Sequence, residues 1–147
     1  NIRYIDKITP SANMFATGSH VGLGVPSGRD RGGQGHPVRT VRGRVKAVWD
    51  DSQIVQYTPN TICNLDRLLE ELKNTRKTGF AYDMEEREAG LFCVGVSVPD
   101  YKGDYVYGIS ISAPLARMQE ERLEEVKKHL WDTRERIIGV IGKKKNG

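Results

Sequence analysis

Cysteine is scarce in this chain. Cys63 and Cys93 are the only two in 147 residues, too few for a disulfide framework, and neither belongs to a CxxC pair or stands at zinc-ligand spacing from a histidine. The expectation is therefore no structural metal and no cofactor. Long apolar runs are also missing: none approaches the roughly 20 residues that cross a bilayer, and the opening NIRYIDKI has no signal-peptide character. This reads as a soluble, cytoplasmic chain with no membrane partner. An initiator methionine is absent too, so the sequence looks like a fragment, of a length suited to a single domain over residues 1–147.

What is present is unevenly spread. The formal net charge is +4, yet between Ser27 and Lys46 six basic residues (Arg29, Arg31, Arg39, Arg42, Arg44, Lys46) face only Asp30, a local +5 that leaves the rest of the chain at −1. The basic character thus comes from one stretch. Residues 24–46 form an irregular Gly/Arg-rich segment: Gly24 to Val45 holds six glycines and five arginines, with no apolar spacing of 2 or 3.6 residues, and reads as a loop. One alternative makes it a module contacting nucleic-acid phosphates, although it lacks the interleaved aromatics that would stack on bases.

Ile2 to Ile8 reads as a short strand, and from Trp49 onward the patterns become regular. Asn64 is placed to cap a helix whose Leu65, Leu68, Leu69 and Leu72 form one apolar stripe, ended by Gly79. Phe80 to Asp83 is a short strand candidate, followed by an acidic connection from Met84 to Gly90 in which Glu85 and Glu86 read as a solvated turn. Leu91 to Val98 and Tyr105 to Ser112 are β-rich runs that form an antiparallel hairpin. A long amphipathic helix runs from about Met118 to Ile141, with Leu123, Val126, Leu130, Ile137 and Ile141 on one side. Lys143 to Lys145 then place positive charge where the helix dipole favours it.

The hairpin carries the functional signal. Side chains alternate across a strand, so Val94, Val96 and Val98 share one face while Leu91, Cys93, Gly95 and Ser97 share the other. If Val98 opposes Tyr105, Cys93 lies opposite Ser110, Leu91 opposite Ser112 and Gly95 opposite Gly108. The two faces of small, weakly polar residues then coincide. Such a face has too little volume to fill a core layer. It is covered by a close-packed helix backbone, stands hydrated, or walls a pocket for a small polar ligand.

The stretch TPNTICNLDRLLEELKNTRKTGFAYDMEEREAGLFCVGVSVPDYKGDYVYGISISAPLARMQEERL, together with IRYIDKI at the start, resembles the effector-binding domain of the isocitrate-lyase-regulator (IclR) family of bacterial transcription factors. The match covers about Tyr57 to Gly142, and RKTGFAYDMEE, AGLFCVGVSV and GISISAP are its most specific parts. The resemblance implies an α/β (α+β) fold, GAF-like or profilin-like, with an antiparallel sheet flanked by helices. It further implies a ligand-sensing domain that binds a small organic acid or related metabolite, in a homodimer or tetramer.

Carried over position by position, the family's pocket acid falls on Asp83, its pocket cysteine on Cys93 and its two serines on Ser110 and Ser112, with Leu91 as an apolar wall. Ser110 and Ser112 would donate to a carboxylate or carbonyl oxygen, and Asp83 would accept from a ligand hydroxyl or an ordered water. Operator DNA would be reached only through the family's N-terminal helix-turn-helix domain, expected to be missing before Asn1.

One stretch departs from the family. Near Pro26 the family has a segment like P-x-x-A-T-A-x-G-K-A leading into a helix that supplies backbone donors to the ligand, whereas PSGRDRGGQGHPVRTVRGRVKAVW stands here. Read one nucleotide later with permitted codons, Asp30 through Lys46 yield TAVGKAILSALSEAEL, as a frame-shifted copy would. A frame-shifted, non-functional fragment is thus a further alternative, with Gly24 to Val45 expected to show little regular structure.

Enzymatic function is not expected. Cys93 is the only candidate nucleophile, and His20, His36 and His129 show no spacing that would bring a base to it.

Overall fold

The computed structural model describes Ile2, Arg3, Gly24, Val25 and residues 41–143. It resolves into two compact units, one of Asn1–Val55 with Cys63–Leu69, the other of Gln56–Ile62 with Glu70–Gly147.

In the first unit, strands β1 (Ile2–Arg3) and β2 (Gly24–Val25) pair antiparallel, Ile2 opposite Val25 and Arg3 opposite Gly24. Helix α1 spans Val41–Asp50, so the last five residues of the stretch expected to be irregular, Val41 to Val45, are helical. The pattern becomes visible only when the window runs past Val45. Val41, Val45, Val48 and Trp49 recur at the i, i+4, i+7, i+8 spacing of one helical stripe, and Val45, Val48 and Trp49 are half-buried. The helix ends where the Ser52 hydroxyl donates to the Val48 carbonyl at 2.6 Å. Residues 26–40, which include residues 30–40 of the supposed frame-shifted copy, lie outside the described residues, as do residues 4–8 of the opening strand-like run.

Helix α2 (Leu65–Thr78) begins where its cap predicts. The Asn64 side-chain oxygen accepts the amides of Asp66 and Arg67 at 2.9 and 3.2 Å, satisfying two donors that have no partner within the helix. The leucine stripe is half-buried rather than fully buried. Gly79 closes the helix at φ +81°, and a Cβ there would stand 2.9 Å from the Trp131 ring, so the position requires glycine for both backbone and space.

The second unit is built on a three-stranded antiparallel sheet in the order β3 (Ala81–Met84), β4 (Leu91–Pro99), β5 (Tyr105–Pro114). β3 starts one residue later than the pattern suggested, and β5 runs two residues further, to Pro114. A single 3-10 turn over Leu115–Arg117 leads into helix α3 (Glu120–Lys143). Phe92, Val94, Val96, Met118, Val126 and Leu130 form the core between one sheet face and α3, with Tyr82, Ile109, Ile111 and Leu123 packed around it. The opposite face of the same strands holds the small and polar residues.

The register corrects the expected pairing. Val98 opposes Tyr107, not Tyr105, and irregular pairing between Val98 and Pro99 lets Pro99 meet Tyr105. The cause lies in the connection. The Asp100 carboxylate accepts the amides of Lys102 and Asp104 at 2.8 and 3.0 Å, and the Asp104 carbonyl accepts the Asp100 amide at 2.8 Å. The tip is therefore a tight Asp-capped loop, and the extra residue is taken up as a bulge in the strand that follows. Cys93 consequently faces Ser112, Gly95 faces Ser110, Ser97 faces Gly108 and Leu91 faces Pro114. A slip of two residues leaves every side chain on its expected face.

Candidate functional site

The antiparallel pairing lays the open face out in rows. Asp83 on β3, Cys93 on β4 and Ser112 on β5 form one continuous row, and Ala81, Gly95 and Ser110 form the next. Leu91, buried, closes the face at the Pro114 end. All five residues marked by the sequence, Asp83, Leu91, Cys93, Ser110 and Ser112, thus stand on a single face of one sheet.

The Cys93 Sγ and Ser112 Oγ are 3.1 Å apart and hydrogen-bonded. Burial pushes the Cys93 thiol up; the Ser112 hydroxyl opposes this, while the negative charges of Asp83 and Glu88 reinforce it. The sulfur therefore stays protonated at neutral pH, a weak donor or soft contact and a poor nucleophile. The Asp83 carboxylate is anchored by the Glu86 amide, which donates to its Oδ1 at 2.8 Å. At Gly95 an added Cβ would meet the Ile109 carbonyl and the Ser110 Cβ at 3.2 Å each, so the floor of the face is kept low by the missing side chain. Ser110 and Ser112 are exposed, Asp83 and Cys93 half-buried. None of the strand residues on this face is lysine or arginine.

The β3–β4 turn that carries the anchor is itself latched from a distant part of the chain. The Thr58 hydroxyl donates to the Glu85 carbonyl at 2.5 Å, and the Thr61 hydroxyl to the Glu86 carbonyl. The Thr61 oxygen also accepts the Tyr57 and Thr58 amides at 3.1 and 3.0 Å, folding Tyr57–Thr61 into a compact loop. Glu85, at φ +60°, accepts the Gly90 amide on its Oε1 at 2.7 Å, and Asn60 Nδ2 reaches its Oε2 at 3.3 Å. Glu85 therefore braces the turn and is more than the solvated residue the sequence suggested. Thr58-Pro59-Asn60-Thr61 was the available signal, since threonine hydroxyls near proline and asparagine favour local turns. Its long-range partner could not be read from it.

The family model described as bacterial transcriptional regulator IclR C-terminal matches residues 1–138. The DNA-binding transcriptional repressor YiaJ of Escherichia coli K12 is 32% identical over 145 residues, covering 94% of this chain and 50% of the repressor. Among solved structures, the IclR of Thermotoga maritima superposes with a TM-score of 0.76 at 31% identity, over 95% of this chain and 56% of that one. The inducer-binding domain of an Acinetobacter PobR double mutant, in complex with 3-hydroxybenzoic acid, shares the fold at a TM-score of 0.66 and 20% identity, over 86% and 73% of the two chains.

The chain belongs to the IclR family of bacterial transcriptional regulators. Within that family it corresponds to the C-terminal, effector-binding domain, with the α+β architecture the resemblance implied. It spans half or less of the curated relatives it matches. Those relatives are regulators, not enzymes. Among the described residues no helix is long and apolar enough to cross a membrane.

Proposed function

We propose that the open sheet face is the effector site of this domain, taking a small organic acid or related metabolite, and that occupancy is transmitted in the whole regulator to operator DNA. The observation that carries this reading is the Asp83–Cys93–Ser112 row beside Gly95 and Ser110, a strip of small and polar side chains gathered on one face of the sheet. Ser110 and Ser112 supply neutral donors, Asp83 an acceptor, Cys93 a protonated thiol and Leu91 the apolar edge. That PobR is recorded with a hydroxylated aromatic acid supports an acid as the ligand class. The domain works in the cytoplasm as a homodimer or tetramer, and the DNA-reading part belongs to the N-terminal half of the regulator. An enzymatic role is disfavoured by the protonated Cys93, which has Ser112 and not a base as its partner.

The alternative of a nucleic-acid-contacting basic module gains nothing from the described part of the segment. Arg42 is paired with Asp66 at 3.5 Å and Lys46 with Asp50 at 2.5 Å. The deciding experiment is a thermal-shift screen with small carboxylic, keto and aromatic acids. A ligand that binds only the native state raises the midpoint by mass action, and Ser112→Ala should remove the response. A silent panel refutes the effector reading.

A further inference from the structure

The peptide that joins Glu85 to Glu86 is held at both of its edges. Its carbonyl, that of Glu85, accepts the Thr58 hydroxyl at 2.5 Å, and its N–H, that of Glu86, donates to Asp83 Oδ1 at 2.8 Å. A trans peptide is planar, with C=O and N–H pointing in opposite directions, so whatever fixes the carbonyl also aims the amide. Thr58 is itself fixed. The Asn60 amide donates to its side-chain oxygen at 3.1 Å, which leaves the hydroxyl proton for Glu85. Thr61 accepts the Thr58 amide at 3.0 Å and donates to the carbonyl of Glu86, one peptide further along.

The turn closes without this grip. The Glu85 amide donates to the Leu91 carbonyl at 2.9 Å and the Gly90 amide to Glu85 Oε1 at 2.7 Å, bonds that lie wholly within the β3–β4 connection. What they leave open is rotation of the Glu85–Glu86 peptide plane. Glu85 stands at φ +60°, left-handed backbone that a residue with a side chain keeps only when its surroundings hold it there. A rotated plane would carry the Glu86 N–H away from Asp83 and take a donor from the carboxylate.

We infer that Thr58 is a positioning residue of the effector site: its hydroxyl sets the plane of the Glu85–Glu86 peptide, and that plane holds the Asp83 carboxylate in place. The inference rests on the effector reading above and adds to it a residue that lies off the sheet altogether.

The test compares Thr58→Val, which keeps the side-chain shape and removes the hydroxyl, with Thr58→Ser, which restores it. Amide exchange read by NMR on the full chain should show Glu86 exchanging about tenfold or more faster in Thr58→Val, with Glu85 and Gly90 unchanged and Glu86 protected again in Thr58→Ser. Asp83→Ala should expose the Glu86 amide to the same degree, and the double variant no further. Affinity for 3-hydroxybenzoate, or for the panel acid of largest thermal shift where that one is silent, should fall about tenfold in Thr58→Val, the scale of one hydrogen bond to a charged group. It should recover in Thr58→Ser. A purely structural threonine would lower stability and leave the affinity of the folded protein alone. An unprotected Glu86 amide in the wild type overturns the inference without any variant. So does a Glu86 amide still protected in Thr58→Val, or an affinity unchanged there, and in those cases binding to the wild type leaves the effector reading standing. A silent acid panel removes the effector reading, and this inference with it.

Discussion

Phe92, Val94, Val96 and Val98 on β4 are buried, Val94 completely, whereas Cys93, Gly95 and Ser97, interleaved with them on the same strand, are half-buried or exposed. One strand therefore faces two environments with a period of two. The hydrophobic side is set by volume and by Val126 and Leu130 of α3. The other is set by hydrogen bonds and by what is missing, a Cβ at Gly95 above all. Stability should depend on the first face and ligand recognition on the second, and substitutions of adjacent residues can separate them.

The sharpest contrast is Phe92→Ala against Ser112→Ala. The first opens a cavity in the core and should cost about 3–5 kcal/mol in denaturant unfolding; the second, at an exposed hydroxyl, should cost less than about 1 kcal/mol while affecting ligand response. Equal costs would break the distinction between the faces. Next in size is Gly79→Ala, where φ +81° and the 2.9 Å approach to Trp131 predict a loss of about 1–3 kcal/mol in the thermal midpoint. A neutral result would mean that the Trp131 ring gives way at no cost.

Smaller still are Thr58→Val and Thr61→Val, each expected to lose about 1 kcal/mol through the hydroxyl bonds that hold the β3–β4 turn. Since both act on one turn, the double variant should fall short of the sum. The least effect concerns pH. Because the Cys93 pKa is raised in the folded state, its contribution is complete below the ordinary thiol value of about 8.5 and is lost as pH climbs from there through the folded value. Cys93→Ala should flatten that alkaline decline, read as unfolding midpoints between neutral and alkaline buffers.

Local signals were legible where the chain's neighbours decide the outcome. Asn64 caps α2 and Gly79 ends it because capping and left-handed backbone are matters of a few adjacent residues. The open face was legible because alternation survives any even slip. The register itself was not, since it depends on how Asp100 folds the tip and where the bulge falls. Helix α1 is masked in the sequence because glycine and arginine dominate its approach while its valine stripe begins only at Val41. The Thr58 and Thr61 latch joins residues 27 and 25 positions apart, and no local pattern encodes such a partner.

The bulge between Val98 and Pro99 also bears on how the hairpin tolerates changes of length. Residues gained or lost in pairs near its apex would slide β5 along β4 and swap which serine meets the thiol, yet no valine would turn outward and no hydroxyl inward. A single added residue could be absorbed as this one is, by local puckering. The depth of the proposed binding surface can thus be retuned by the apex alone, without redesign of the packed side beneath it.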